Sequence, residues 1–138
     1  MVRSILKTKR TNKPIIVVDG NDGTGKSTLA VSLRKLGYLV KDRGIPSLMT
    51  DGERARFPKN EIYIILDAPI ATCRLRLKTA GKDLNKKYHT VRDLTHYRSR
   101  FLEVAKMLPR CVMIDASGTL EEVIKLAIHA IDQIRNNH

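Results

Sequence analysis

The chain alternates between short β-branched apolar runs and longer segments whose apolar positions recur at helical spacing. Pro14 opens the run Ile15–Val18, which is continuous enough for a strand covered on both faces. A helix is expected from Lys26 to Leu36, with Leu29, Leu33 and Leu36 on one face and Gly37 as its stop. "YLVKD" reads as a second short strand ending at Asp42. Residues 43–60 hold two prolines and two glycines and read as an irregular segment. "EIYIILDAP" is a third strand ended by Pro69, and a helix follows from Ile70 to Lys78. Residues 79–90 show no helical period and read as a loop. "VRDLTHYRSRFLEVAKML" is a long helix with Leu94, Tyr97, Phe101, Val104 and Leu108 in register, ended by Pro109. "CVMIDA" is the fourth strand. Thr119-x-x-Glu122 is a capping box that starts a last helix, with Val123, Leu126, Ala127 and Ala130 facing inward.

Strands separated by helices imply an α/β fold, here a compact four-stranded parallel sheet with helices on both faces. Ligands in such sheets bind at the carboxyl ends of the strands. All four expected strands end there on an aspartate: Asp19, Asp42, Asp67 and Asp115.

One motif stands at that edge. Gly20-Asn21-Asp22-Gly23-Thr24-Gly25-Lys26-Ser27 matches G-x-x-x-x-G-K-[ST] in full, directly after a strand and opening a helix. Glycines let backbone N–H groups turn inward around phosphate oxygens, and the helix N-terminus adds positive potential. Lys26 then supplies a mobile charge for the β- and γ-phosphates, Ser27 a hydroxyl ligand for Mg²⁺, and Thr28 continues the binding turn. This points to a P-loop NTPase fold that binds ATP and Mg²⁺. A guanine-specific switch is excluded, because the nearest string to N-K-x-D is Asn85-Lys86-Lys87-Tyr88 and no D-x-x-G element follows a strand.

"DGNDGTGKST", "KDRGIPS", "LDAPIATCRLRLKTAGKDL" and "MIDASGTLEEV" together resemble the thymidylate-kinase-like branch of P-loop nucleotide kinases. The resemblance runs from Pro14 into the final helix. It implies that Asp42 steers the proton of the attacking hydroxyl, or holds Mg²⁺ through water, and that Arg43 contacts the acceptor or the transferring phosphoryl group. It also implies a lid over roughly residues 79–90, with Arg74, Arg76, Lys78 and Lys82 as candidates to neutralise the moving phosphoryl group. The arginine usual before Gly-Lys-Asp is Ala80 here. Ala116 and Ser117 would border the adenine.

Length and charge shift attention to the acceptor. The 138 residues form one expected domain, residues 14–138, preceded by a basic arm, residues 1–13. Net charge is +12. The arm carries Arg3, Lys7, Lys9, Arg10 and Lys13 with no acid, and residues 74–110 carry eleven basic groups against Asp83, Asp93 and Glu103. Charge so concentrated favours a polyanion. The acceptor-binding insert of free-nucleotide kinases is also expected to be missing around the short segment 43–60. Small phage kinases that phosphorylate 5-hydroxymethyluracil within DNA resemble this pattern, so DNA is the expected substrate. Arg43, Ser47, Arg54, Arg56, Lys78, Lys82, Lys86, Lys87, Tyr88 and Arg92 are the expected acceptor contacts, and Tyr88, His89, His96 and Tyr97 could stack on a base. The alternatives are a minimal deoxynucleoside monophosphate or nucleoside kinase, whose site a homodimer could complete, a polynucleotide end kinase, and a non-catalytic nucleotide-dependent nucleic-acid-binding module. Cys73 and Cys111 have no metal or redox spacing and are expected to be buried thiols. With no membrane span or secretory signal expected, the cytoplasm, of a host cell if viral, is the expected compartment.

Overall fold

The computed structural model describes residues 13–41, 44–45 and 58–137. Four strands, β1 (Ile15–Gly20), β2 (Leu39–Lys41), β3 (Glu61–Asp67) and β4 (Cys111–Asp115), form one sheet in the order β2-β1-β3-β4. Every pairing is parallel. The connections carry helices α1 (Lys26–Lys35), α2 (Ile70–Thr79) and α3 (Val91–Met107), and α4 (Leu120–Asn136) closes the described chain.

The apolar runs at β1 and β3 are continuous because both faces of these central strands are covered. Ile16 and Val18 on β1, with Ile62, Ile64 and Leu66 on β3, face α1 and α4, meeting Leu29, Leu33, Val123, Ala127 and Ile131. The alternate residues Val17, Tyr63 and Ile65 face α3, meeting Phe101, Val104 and Leu108. A third cluster of Ala68, Cys73, Leu77 and Leu94 joins α2 to α3. The expected four-stranded parallel α/β sheet is therefore the fold observed.

Helix limits follow local chemistry. Thr119 accepts a hydrogen bond from the Glu122 amide, and the Glu122 carboxylate accepts from the Thr119 amide, completing the expected capping box. Thr90 caps α3 by accepting from Asp93 N. Two expected core positions are corrected. Leu36 is 58% exposed, because the chain turns outward at the C-cap of α1, and Leu126 is 43% exposed. On α4 the buried stripe instead passes through Val123, Ala127, Ala130 and Ile131.

Cys73 is buried and Cys111 is half-buried, and neither is in a disulfide. Burial raises both thiols, Cys111 to about 12. At pH 8 the native Cys111 thiolate should be on the order of a thousandfold scarcer than that of a free cysteine. Iodoacetamide should accordingly leave the native protein essentially unmodified while labelling both cysteines in denaturant. Among the described residues no helix is long and apolar enough to cross a membrane.

Candidate active site

Because β1 is followed by a connection to one side of the sheet and β3 lies on its other side, the loop leaving β1 opens at the switch point of the strand order. That loop is the glycine-rich motif. Gly20, Gly23 and Gly25 have φ of 147°, 88° and 93°, in the left-handed region that favours glycine. Asn21, 7% exposed, pins the loop by donating from Nδ2 to Leu94 O on α3 at 2.8 Å. Thr24, also buried, donates its hydroxyl to Asn21 O at 2.6 Å. The outer residues face solvent: Gly25, Ser27 and Thr28 are exposed and Lys26 is half-buried.

Gly25 is the N-cap of α1, and among the described residues no side chain caps that helix. Its first-turn amides therefore point out without an intrahelical acceptor, the arrangement that takes an anion. Lys26 Nζ lies 3.4 Å from Asp22 Oδ1, its one ion-pair partner among the described residues. Among the same residues the Ser27 hydroxyl makes no hydrogen bond. Inward glycines, uncapped amides, a loosely held lysine and an uncommitted hydroxyl fit a triphosphate, with Ser27 as the residue that would hold Mg²⁺.

Beside the loop lies a cleft of about 340 Å³ lined by Thr24, Gly25, Thr28, Arg76, Ala116, Gly118, Leu120 and Val123. Its apolar wall comes from the β4–α4 turn and the start of α4. Ala116 is fully buried there, and its amide donates to Asp67 O at 2.7 Å. Ser117, expected beside it, does not line the cleft but donates its amide and hydroxyl to Asp115 Oδ1 at 2.9 and 2.6 Å. Those two bonds hold the Asp115 carboxyl below its ordinary range.

The strand-end carboxylates are already engaged. Asp19, 6% exposed, accepts from Gly20 N at 2.8 Å and from Ile45 N at 2.6 Å. Asp67 accepts from Arg98 Nε and a terminal nitrogen at 2.8 and 3.1 Å, a bidentate pair that raises the guanidinium further. Helical periodicity did not mark Arg98, since its partner is set by how α3 crosses the end of β3.

The two candidate arginines on α2 diverge. Arg76 donates to Gly23 O at 3.4 Å and Gly118 O at 3.2 Å, spanning the phosphate loop and the cleft. Arg74 instead donates to Leu84 O at 3.1 Å and His89 O at 2.8 Å, tying down the expected lid. That segment is folded against the phosphate loop by His89. The His89 side chain was expected on a basic surface, yet the residue is 7% exposed. Its Nε2 lies 3.0 Å from Asp22 Oδ2 and its Nδ1 3.1 Å from Asp83 O. Burial of a histidine inside a charged, aperiodic stretch leaves no sequence signal.

Lys78, Lys82, Lys86, Lys87, Tyr88 and Arg92 are all exposed along α2, the segment after it and the start of α3. Tyr88 has φ of 72°, and its backbone N–H donates a hydrogen bond to Asp93 Oδ2 at 2.8 Å. Its ring lies 5.3 Å from Tyr97, which in turn lies 4.9 Å from His96, and Lys87 Nζ sits 5.1 Å from the Tyr88 ring centre. Tyr97 also packs on the cluster beneath α3, so it is half core and half platform. Asp42, Arg43, Ser47, Arg54, Arg56 and residues 1–12 of the basic arm lie outside the described residues.

No family model matches the chain. It is similar to a thymidylate kinase of Caldicellulosiruptor saccharolyticus, 38% identical over 78 residues. That stretch is 55% of this chain but spans only 37% of the relative's length. Among solved structures it is similar to a gluconokinase from Sinorhizobium meliloti 1021, with a TM-score of 0.51 and 18% identity over 90% of this chain and 94% of that one. It is also similar to a sugar kinase from Janibacter sp. HTCC2649, with a TM-score of 0.50 and 15% identity over 87% and 95% of the two chains. The fold, a parallel α/β sheet with its phosphate loop after β1, is shared with these two structures. At these identities the structural likeness speaks for architecture alone.

Proposed function

We propose that this chain transfers the γ-phosphoryl group of ATP to a hydroxyl carried by nucleic acid. The observation that carries the phosphotransferase part is the pairing of a complete phosphate loop with a nucleoside-sized cleft beside it. The triphosphate would lie along the amides from Asp22 to Thr28, with Lys26 on the β- and γ-phosphates and the adenine against Ala116, Leu120 and Val123. A bound Mg²⁺ ion, held on Ser27, would offset charge on the phosphate oxygens. Arg76 lies between loop and cleft and is the better placed arginine to meet phosphate oxygens. Arg74 would act by holding the 84–89 backbone in place. Asp42, directly after β2, would take the proton of the attacking hydroxyl, and Arg43 would contact the acceptor.

The acceptor reading is supported by charge and aromatic exposure. The exposed basic residues from Lys78 to Arg92 flank Tyr88 in the sequence, with Lys87 over its ring, and the Tyr88–Tyr97–His96 group offers ring faces on which an unpaired base could stack. Ser47, Arg54 and Arg56 are further proposed acceptor contacts, on the strength of the sequence alone. The 5-hydroxymethyl group of 5-hydroxymethyluracil in DNA is the acceptor hydroxyl we favour, following the resemblance to the phage enzymes. A second reading, phosphorylation of a free deoxynucleoside monophosphate, is favoured by the stretch shared with a thymidylate kinase.

Labelled ATP offered to hydroxymethyluracil duplex, unmodified duplex and dTMP separates the two. Label should enter only the modified duplex, and transfer should fall steeply between 50 and 200 mM salt while ATP binding holds. Label in dTMP alone would establish the second reading instead.

A further inference from the structure

We infer that His89 is a positioning residue for the phosphate loop, acting through Asp22; the inference rests on the reading that this loop binds ATP. Asp22 stands between two cationic or donor groups, with Oδ1 3.4 Å from Lys26 Nζ and Oδ2 3.0 Å from His89 Nε2. The first contact is long for a charge-assisted hydrogen bond and the second is ordinary. His89 thus holds the carboxylate on the side of the 83–89 segment and keeps it from closing on the lysine.

The histidine is itself fixed. Its Nδ1 faces Asp83 O at 3.1 Å, its amide donates to Lys86 O at 3.0 Å, and its carbonyl accepts from Arg74 at 2.8 Å. With 7% exposure it has little room to turn away. The chain of contacts runs from α2 through Arg74 to His89, then to Asp22 and Lys26. Asp22 lies midway between Gly20 and Gly25, so anchoring its side chain also fixes the peptide groups that would face phosphate. Released from His89, Asp22 would draw Lys26 into a tighter pair, and ATP would then have to displace that pair in order to bind.

Two substitutions separate this role from packing. An asparagine amide reaches about where Nδ1 sits and keeps the bond to Asp83 O, whereas a glutamine amide reaches about where Nε2 sits and keeps the bond to Asp22. With a fluorescent ATP analogue, His89→Asn should weaken binding by about tenfold and His89→Gln by less than about threefold. Thermal unfolding, read in parallel, reports the packing cost of each. In an Asp22→Ala background His89→Asn should cause no further loss of affinity, because the contact it removes is already gone. Equal losses in the two His89 variants, an unchanged affinity in His89→Asn, or additive losses with Asp22→Ala would overturn the inference. Should His89→Asn not fold, retained affinity in His89→Gln supports it, and a tenfold loss there overturns it. A wild-type protein that does not bind the analogue would instead overturn the ATP reading on which the inference stands.

Discussion

Lys26→Ala should abolish γ-phosphoryl transfer, lowering the rate by about 10³-fold or more, while leaving the fold intact. The expected loss is that of a preorganised charge aimed at oxygens whose charge redistributes in the transition state. The fold is spared because the lysine makes so little of it. Its one described partner is Asp22 at 3.4 Å, with side chains 31% and 38% exposed. Solvent screens such a pair to under about 1 kcal/mol. Melting temperature should therefore move by only a few degrees as transfer disappears. Lys26→Arg should not restore the rate, because a planar guanidinium on a longer stem cannot occupy the place of a compact ammonium. Transfer of label by a folded Lys26→Ala protein would remove this loop from the chemistry.

The second large effect is structural. Gly23→Ala should destabilise the protein far more than Gly25→Ala, although both glycines have nearly the same φ, 88° and 93°. A methyl at Gly23 would stand 2.6 Å from Cys73 O and 3.0 Å from its carbonyl carbon, whereas one at Gly25 meets nothing within 4 Å. Both pay the left-handed penalty of about 1–2 kcal/mol. Only Gly23 adds an overlap with backbone atoms of α2, which no rotamer change relieves, for a total of about 3 kcal/mol or more. Thermal unfolding should show Gly23→Ala melting lower by on the order of 10 °C and Gly25→Ala by about half that. Gly20→Ala should resemble Gly23→Ala, since its methyl would lie 2.5 Å from Leu66 O on the neighbouring strand. Equal melting of the Gly23 and Gly25 variants would show that the packing of the loop on α2 carries no such cost.

Much of this was legible along the chain. The apolar runs at Ile15–Val18 and Ile62–Leu66 are local, and a short continuous run against the helical spacing of the longer segments is readable without knowledge of partners. The phosphate loop is legible for the same reason, since its glycines, lysine and serine are consecutive and their chemistry is decided by spacing alone. The capping box at Thr119 and Glu122 likewise closes within four residues.

What tertiary structure decided is every pairing between residues far apart in sequence. Spacing along the chain cannot reveal that Arg98 meets Asp67, that Arg74 faces loop carbonyls while Arg76 faces the cleft, or that Leu36 and Leu126 turn outward. Each depends on the angle at which one helix crosses a strand or another helix, and period constrains only which face is apolar. His89 shows the limit best. In the sequence it is one histidine in a basic stretch, and its burial against Asp22, 67 residues away, follows only from how the segment after α2 folds back over the loop after β1. Local chemistry determined that the chain builds a phosphate-gripping loop on a parallel sheet; three-dimensional packing decided what holds that loop in place.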